Sequence, residues 1–270
     1  MACAGCRNGV DLDFDFTMAF QPIVDIENHS VWGYEALVRG SNGEGAGEVL
    51  SRVTDRTKYR FDQQCRVKAI ELAASLMPRT NQFLSINFMP NAVYEPRACI
   101  RTTLAAAEKT GFSPNRINFE FTESEEISDP AHLQGIIAEY RRQGFLTAID
   151  DFGAGFAGLN FFANFAPNIV KIDMELIRDI NTIRTKRAIV RGIVSICQDL
   201  DIEVLAEGIE TPQELEVLKG MGIKLMQGYY FAKPEVGSLP PVSFASTNIG
   251  SGHPPTAGGS TMHALHAPVG

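Results

Sequence analysis

The 270-residue sequence has no apolar run approaching the roughly 20 residues of a membrane span, and the segment Met1 to Phe20 lacks the apolar core of a signal peptide. A cytoplasmic protein with no membrane partner is expected. No dense basic run stands out, and 24 Lys+Arg against 32 Asp+Glu leave a formal net charge of −8. That balance argues against a nucleic acid polymer as partner. A small anionic nucleotide could still bind, given cations at its site. Cysteine is scarce and odd in number: Cys3, Cys6, Cys65, Cys99 and Cys197. In a chain expected to be cytosolic this argues against a disulfide framework. Cys3 and Cys6 form a C-x-x-C outside any βαβ context, which fits free thiols better than a metal or redox site shared with Cys65. No G-x-G-x-x-G follows an early strand, against a dinucleotide-binding unit.

What remains is ordinary for a globular chain, with 44% hydrophobic and 21% charged residues. Short apolar runs alternate with longer amphipathic stretches. Strands are expected at Met18–Val24, Val31–Val38, Phe83–Asn87, Ile117–Thr122, Leu146–Asp150, Ile169–Ile172, Val204–Ala206 and Leu225–Tyr230. Helices are expected at Tyr59–Leu76, Arg97–Thr110, Pro130–Gln143, Met174–Leu200 and Pro212–Met221. The long Met174–Leu200 stretch lacks a clear cap and is compatible with two pieces. Asp129-Pro130 and Thr211-Pro212 supply helix-capping side chains followed by proline at the first helical position, and Glu214 adds a capping-box partner.

Strands alternating with helices imply parallel pairing. The first two strands are the exception, because Asp25–Ser30 is too short a link for a parallel crossover. About eight strands point to an α/β protein with a (β/α)8 TIM-like barrel. A doubly wound open sheet is the alternative. The barrel domain is expected over residues 16–236, after an irregular lead-in at 1–15 and before a flexible Gly-, Pro-, Ser- and His-rich tail at 237–270.

Acidic residues gather in and after these apolar runs: Glu35, Glu120, Glu123, Asp150, Asp151, Asp173, Glu207 and Glu210, with Asn87 closing its own run. In a parallel barrel the strand ends open on one face, where active sites of this architecture lie. Two carboxylates about 4 Å apart repel by about 4 kcal/mol at an effective dielectric of about 20. Two divalent ions and the ammonium of Lys171 would balance Glu35, Glu120, Asp150, Asp151 and Glu207. The histidines, at 29, 132, 253, 263 and 266, close no core strand. An oxygen-rich set of this kind suits Mg²⁺ or Mn²⁺ better than zinc. Lys171 in an apolar strand is either a structural ion pair or the group that orients an attacking water. The Gly-rich run Asp151–Gly158 could cradle phosphate or act as a hinge. A two-carboxylate glycosidase would account for neither Asn87 nor Lys171.

In order along the chain, Gln21-Pro22-Ile23-Val24, Glu35-Ala36-Leu37 with Arg39, Ser85-Ile86-Asn87 and Glu120-Phe121-Thr122-Glu123 are followed by Asp150-Asp151-Phe152-Gly153 and Val170-Lys171-Ile172-Asp173. The series ends with Ala206-Glu207-Gly208-Ile209-Glu210 and Gln227-Gly228-Tyr229-Tyr230-Phe231-Ala232-Lys233-Pro234. This series resembles the EAL-domain cyclic di-GMP phosphodiesterases. The resemblance implies a barrel with one antiparallel strand, and hydrolysis of cyclic di-GMP to linear pGpG with two Mg²⁺ or Mn²⁺ ions. It implies Glu35, Asn87, Glu120 and Asp150 as ligands of one ion, and Asp150, Asp151 and Glu207 as ligands of the other. Lys171 would contact the attacking water, and Glu123 would tether the Gly-rich loop that couples the site to a homodimer interface. Gln21 and Arg39 would contact the nucleotide, with Glu210 and Gln227 completing the pocket. Gly40, Ala154, Phe156, Ala157 and Gly158 depart from the family's usual residues but leave the ligands intact. A degenerate member that only binds cyclic di-GMP or a protein is the alternative.

Overall fold

The computed structural model describes residues 11–77, 81–122, 129–155, 162 and 165–244. In chain order the elements are β1 (Phe16–Asp25), β2 (Ser30–Gly40), α1 (Ala46–Ser51), α2 (Lys58–Leu76), β3 (Phe83–Asn87), α3 (Pro96–Thr110), β4 (Ile117–Thr122) and α4 (Pro130–Arg142). There follow β5 (Leu146–Phe152), β6 (Ile169–Ile172), α5 (Met174–Ile177), α6 (Arg184–Asp199), β7 (Glu203–Ala206), α7 (Pro212–Lys219), β8 (Leu225–Met226) and β9 (Glu235–Val236). Strands β2 to β8 pair in parallel in sequence order, and β1 closes the barrel by pairing antiparallel with both β2 and β8. The reversal is made locally. Asp25 Oδ1 accepts the N–H groups of Glu27 and Asn28 at 3.0 Å, and His29 takes a left-handed φ of 46°. The two-residue β9 adds to β1 through Ala19 and Phe20.

The two-residue period of the strands separates the barrel's inside from its outside. Phe119, Phe121, Ile149, Val170, Ile172, Val204 and Ala206 belong to the main core shared with the helices. Their alternates Ile23, Ala148, Ile169, Leu205 and Leu225 form a separate apolar plug with Trp32 against it. Trp32 stacks on Phe83 with ring centroids 4.4 Å apart. One step further along the same inward faces the residues change character: Ile169 gives way to Lys171, Ala148 to Asp150, Leu205 to Glu207 and Leu225 to Gln227. On β1, which runs the other way, the step from Ile23 leads to Gln21. The inside is thus apolar at one end and charged at the end where the parallel strands finish.

The predicted caps form. Asp129 accepts from the N–H groups of Ala131 and His132, and Thr211 with Glu214 makes a reciprocal capping box. One expected element divides as its missing cap allowed, and another is shorter than expected. Met174–Leu200 is two helices, because Asp179 adopts φ 58° and its N–H is taken by Glu214 Oε1 at 2.9 Å, ending the first after one turn. The expected strand Leu225–Tyr230 keeps only Leu225–Met226. Beyond it the chain bonds to the loop after β7: Ile209 N–H donates to Gln227 O at 3.2 Å and Tyr230 N–H to Ile209 O at 2.9 Å. The short helix α1 and strand β9 carry too little periodic pattern to be read from sequence. Apolar packing also reaches Leu12 and Phe14 before β1, and Leu239, Val242 and Phe244 after β9. Among the described residues no helix is long and apolar enough to cross a membrane.

Gly228 marks the closest backbone approach beside the barrel mouth, since a Cβ there would lie 2.1 Å from Ile209 O and 2.3 Å from Ile209 N. Gly228→Ala is expected to lower stability by about 1–3 kcal/mol through overpacking, read as a reduced urea midpoint at unchanged slope. An unchanged midpoint would show that this crossing has room to spare.

Candidate active site

Lys171 is fully buried on β6, and its Nζ meets carboxylates from four neighbouring elements. The contacts are Glu120 Oε2 at 2.8 Å, Asp150 Oδ1 at 2.8 Å, Glu207 Oε1 at 2.9 Å and Glu35 Oε2 at 3.3 Å. An ammonium has three protons, so the longest contact, to Glu35, is chiefly electrostatic. Neutral donors hold the carboxylates from outside. Asn87 Nδ2 donates to Glu35 Oε1 at 2.8 Å and Gln227 Nε2 to Glu35 Oε2 at 2.9 Å. Asn118 Nδ2 donates to Glu120 Oε1 at 2.9 Å and to Ser85 Oγ at 3.0 Å.

The electrostatics reflect burial of like charges. Burial pushes the Glu120 carboxyl up to about 8, with Glu35 and Asp150 adding to the shift and Lys171 opposing it. Burial and the adjacent Asp150 push Asp151 up to about 6. Glu207 is raised well above the usual carboxylate range by burial, against the pull of Lys171. Burial alone would lower Lys171, yet the surrounding carboxylates outweigh it and hold the ammonium charged. The four carboxylates around Lys171 outnumber that one cation.

Two overlapping groups of carboxylate oxygens lie within 4.8 Å of one another: Glu35, Glu120 and Asp150, and Asp150, Asp151 and Glu207. Asp150 belongs to both. Consecutive strand residues normally face opposite ways, but Asp151 has φ 54°, and the register between β5 and β6 shifts between Ile149 and Phe152. Both aspartates therefore line the same cavity. An all-oxygen donor set of buried carboxylates, with one carboxylate common to two groups, fits a pair of hard divalent ions.

The cavity above these groups has a volume of about 650 Å³, within the range of small-molecule sites. Gln21, Glu35, Asn87, Asp150, Asp151, Glu207, Glu210 and Gln227 all line it, while Glu120 and Lys171 lie beneath. Gln21 Nε2 donates to Ala232 O at 3.3 Å. Glu210 pairs with Arg178, whose Nη2 lies 2.7 Å from Oε1. Arg39 is not drawn to the cavity; its Nη1 donates to Val38 O at 2.6 Å. Glu123, Cys3, Cys6, the end of the Gly-rich run and the tail beyond residue 244 lie outside the described residues. Cys65, Cys99 and Cys197 are buried and form no disulfide. Sequence reasoning missed Asn118, Arg178 and the buried Asp62–Arg66 pair on α2. The pair was detectable as opposite charges four residues apart on a helix face otherwise facing the core.

The family model for the EAL domain matches residues 8–234. The chain belongs to the EAL domain family. Among solved structures, the c-di-GMP-bound form of a standalone versatile EAL protein from Vibrio cholerae O395 is 53% identical with a TM-score of 0.83. The match covers 86% of this chain and 98% of that one. Klebsiella pneumoniae BlrP1, solved as a manganese/cyclic di-GMP complex at pH 9.0, is 35% identical with a TM-score of 0.78, over 82% of this chain and 56% of that one. Escherichia coli BluF, a blue light- and temperature-regulated antirepressor, is 31% identical over 84% of this chain and 56% of its own length. The chain thus spans about half or less of the length of the first curated relatives it matches.

The raised carboxyls make stability depend on pH. With folded values of about 8 for Glu120 and about 6 for Asp151, the metal-free folded state binds more protons than the unfolded chain above the ordinary carboxylate range. Stability from these groups is complete below that range and falls as pH rises through 6 and then 8. The metal-free protein is expected to lose roughly 5 °C or more of Tm between pH 5 and pH 8, and saturating Mn²⁺ should remove most of that loss. Calorimetry at both pH values tests this; equal slopes with and without Mn²⁺ would refute it.

Proposed function

We propose that the chain hydrolyses one phosphodiester of cyclic di-GMP to give linear pGpG, using two Mg²⁺ or Mn²⁺ ions. The observation that carries this reading is the pair of carboxylate groups sharing Asp150 at the floor of the cavity. Glu35, Asn87, Glu120 and Asp150 would hold one ion, and Asp150, Asp151 and Glu207 the other. Asn87 would turn its side-chain oxygen to the ion, which agrees with its Nδ2 already donating to Glu35. Bound divalent ions supply Lewis-acid stabilisation of the phosphoryl oxygens and lower the pKa of an attacking water.

The chain's own residues provide the rest. Lys171 holds Glu35, Glu120, Asp150 and Glu207 close together, and with those carboxylates engaged by divalent ions its ammonium would have an N–H to give the attacking water. Because its protons are shared among four carboxylates, it serves as a donor and not as a base at neutral pH. Gln21 and Gln227 present amides to the nucleotide, with Glu210 beside them on the cavity wall. Arg39 reaches the nucleotide by leaving the Val38 carbonyl, a side-chain rotation of a half-buried residue. Glu123 tethers the Gly-rich loop, and the active unit, residues 16–236, works as a homodimer through the region beside that loop.

A module that binds cyclic di-GMP without turnover is the second reading, favoured by the likeness to an antirepressor. Product analysis separates the two. Chromatography is expected to show pGpG in the presence of Mg²⁺ or Mn²⁺ and none after EDTA. Glu35→Ala should lower kcat by about 10³-fold or more through loss of metal-borne charge stabilisation. Calorimetric binding with no product in either metal would overturn the enzymatic reading, and turnover that survives EDTA would overturn the metal.

A further inference from the structure

Where the same cavity reaches α2, its lining includes a second buried charge, Asp62, that the proposed chemistry does not use. Asp62 and Arg66 sit one turn apart on α2, with side chains 1% and 0% exposed and Arg66 Nη2 2.6 Å from Asp62 Oδ2. Arg66 Nη1 also donates to the hydroxyl of Tyr140 on α4 at 2.6 Å. The guanidinium carbon lies 5.3 Å from the ring centroids of Phe88 and Phe119 and 5.7 Å from that of Tyr140. A fully buried pair of this kind is weak as a source of stability, because desolvation offsets most of its attraction. Its geometry suggests a different use. The free oxygen of Asp62, Oδ1, accepts the backbone N–H of Met89 at 3.0 Å.

Met89 is two residues past Asn87, where β3 ends. Between them, Phe88 N–H donates to Glu120 O at 2.8 Å on β4, and the Phe88 ring packs against the aromatic group that surrounds Arg66. The segment leaving β3 is therefore pinned on two sides: to the strand carrying Glu120 and to the helix carrying Asp62. Asn87 is the only member of the proposed first ligand set without a charge, and it makes no contact with Lys171. Its position against Glu35 depends on the path of the backbone at the strand's end.

We propose that Asp62, locked by Arg66 and Tyr140, is a positioning residue: by holding the Met89 N–H it sets the backbone that aims Asn87 at the first metal site. The inference rests on the two-metal reading above. It assigns to α2 and α4, on the outside of the barrel, a share in metal affinity inside it. The link runs from Tyr140 through Arg66, Asp62 and Met89 to Asn87.

The test is titration of Mn²⁺ by electron paramagnetic resonance on the full chain, with circular dichroism and melting to verify folding. Asp62→Ala should weaken one Mn²⁺ site by about 10-fold or more, as outer partners of metal ligands commonly do, and leave the other within about threefold. Asp62→Asn keeps an oxygen that can accept from Met89 and should restore most of that affinity. Met89→Pro removes the N–H while leaving the ion pair in place. Met89 has φ −99° and ψ 110°, so proline, fixed near −65°, also turns the backbone there by roughly 35°, and circular dichroism and melting have to show the variant folded. It should reproduce the Asp62→Ala loss, and it decides the question if Asp62→Ala does not fold.

Adding Asn87→Ala to Asp62→Ala should cost no more than Asn87→Ala alone. Wild-type affinities in both Asp62→Ala and Met89→Pro, or losses that add in full in the double variant, would overturn the proposal. Wild-type protein that binds no Mn²⁺ at all would instead sink the two-metal reading, and the positioning role with it.

Discussion

A single buried ammonium organises the interior of this barrel. Lys171 lies at the centre of four carboxylates delivered by different parts of the chain, each within 3.3 Å or less. Burying one lysine costs several kcal/mol, and burying carboxylates without a cation costs more. Together the groups become tolerable, because each carboxylate is also held by the lysine or by an amide from Asn87, Asn118 or Gln227. The remaining negative charge is the latent affinity of the site for divalent ions. The protein thus reaches its folded shape with the carboxylates already assembled.

That arrangement requires the rest of the barrel to be dry at one end and polar at the other. The plug of Ile23, Ala148, Ile169, Leu205 and Leu225 closes the bottom. The reversed direction of β1 matters here: it brings Gln21 to the polar level while Ile23 stays in the plug. Two backbone irregularities at the mouth shape the site. Asp151 at φ 54° adds a second carboxylate from one strand, and Gly208 at φ 66° lets the chain after Glu207 pass the Cβ of Met174, which an added Cβ would meet at 2.3 Å. Such departures from regular geometry belong where function needs them and where fewer ladder bonds are lost.

The Asp62–Arg66 pair applies the same principle outside the barrel. A buried charge needs close partners, and those partners then have fixed positions. Here the two charges face each other, and their further partners are the Tyr140 hydroxyl, the rings of Phe88, Phe119 and Tyr140, and one backbone N–H. The aromatic rings pack β3, β4 and α4 together, so the same contacts that fill the core also restrain the segment next to Asn87.

The sequence by itself determined much of this protein. Alternation of apolar and charged residues in runs such as Ile169-Val170-Lys171-Ile172 dictates which side chains enter the barrel. The short link after β1 dictates its antiparallel direction, and Asp129 and Thr211 dictate two helix starts. The carboxylate cluster was readable because its members lie in or just after apolar runs and the motifs occur in order. Only the tertiary structure decided which of those residues meet. Lys171 and Glu120 are 51 residues apart, and Arg66 and Tyr140 are 74 apart. It also decided that Asp179 divides a predicted helix, that Glu210 pairs with Arg178, and that Arg39 turns to its own strand's carbonyl. The physical reason is range. Propensity, capping and strand period act over a few residues, whereas partners of buried charges are chosen by strand register and barrel closure, which exist only once the whole sheet has formed.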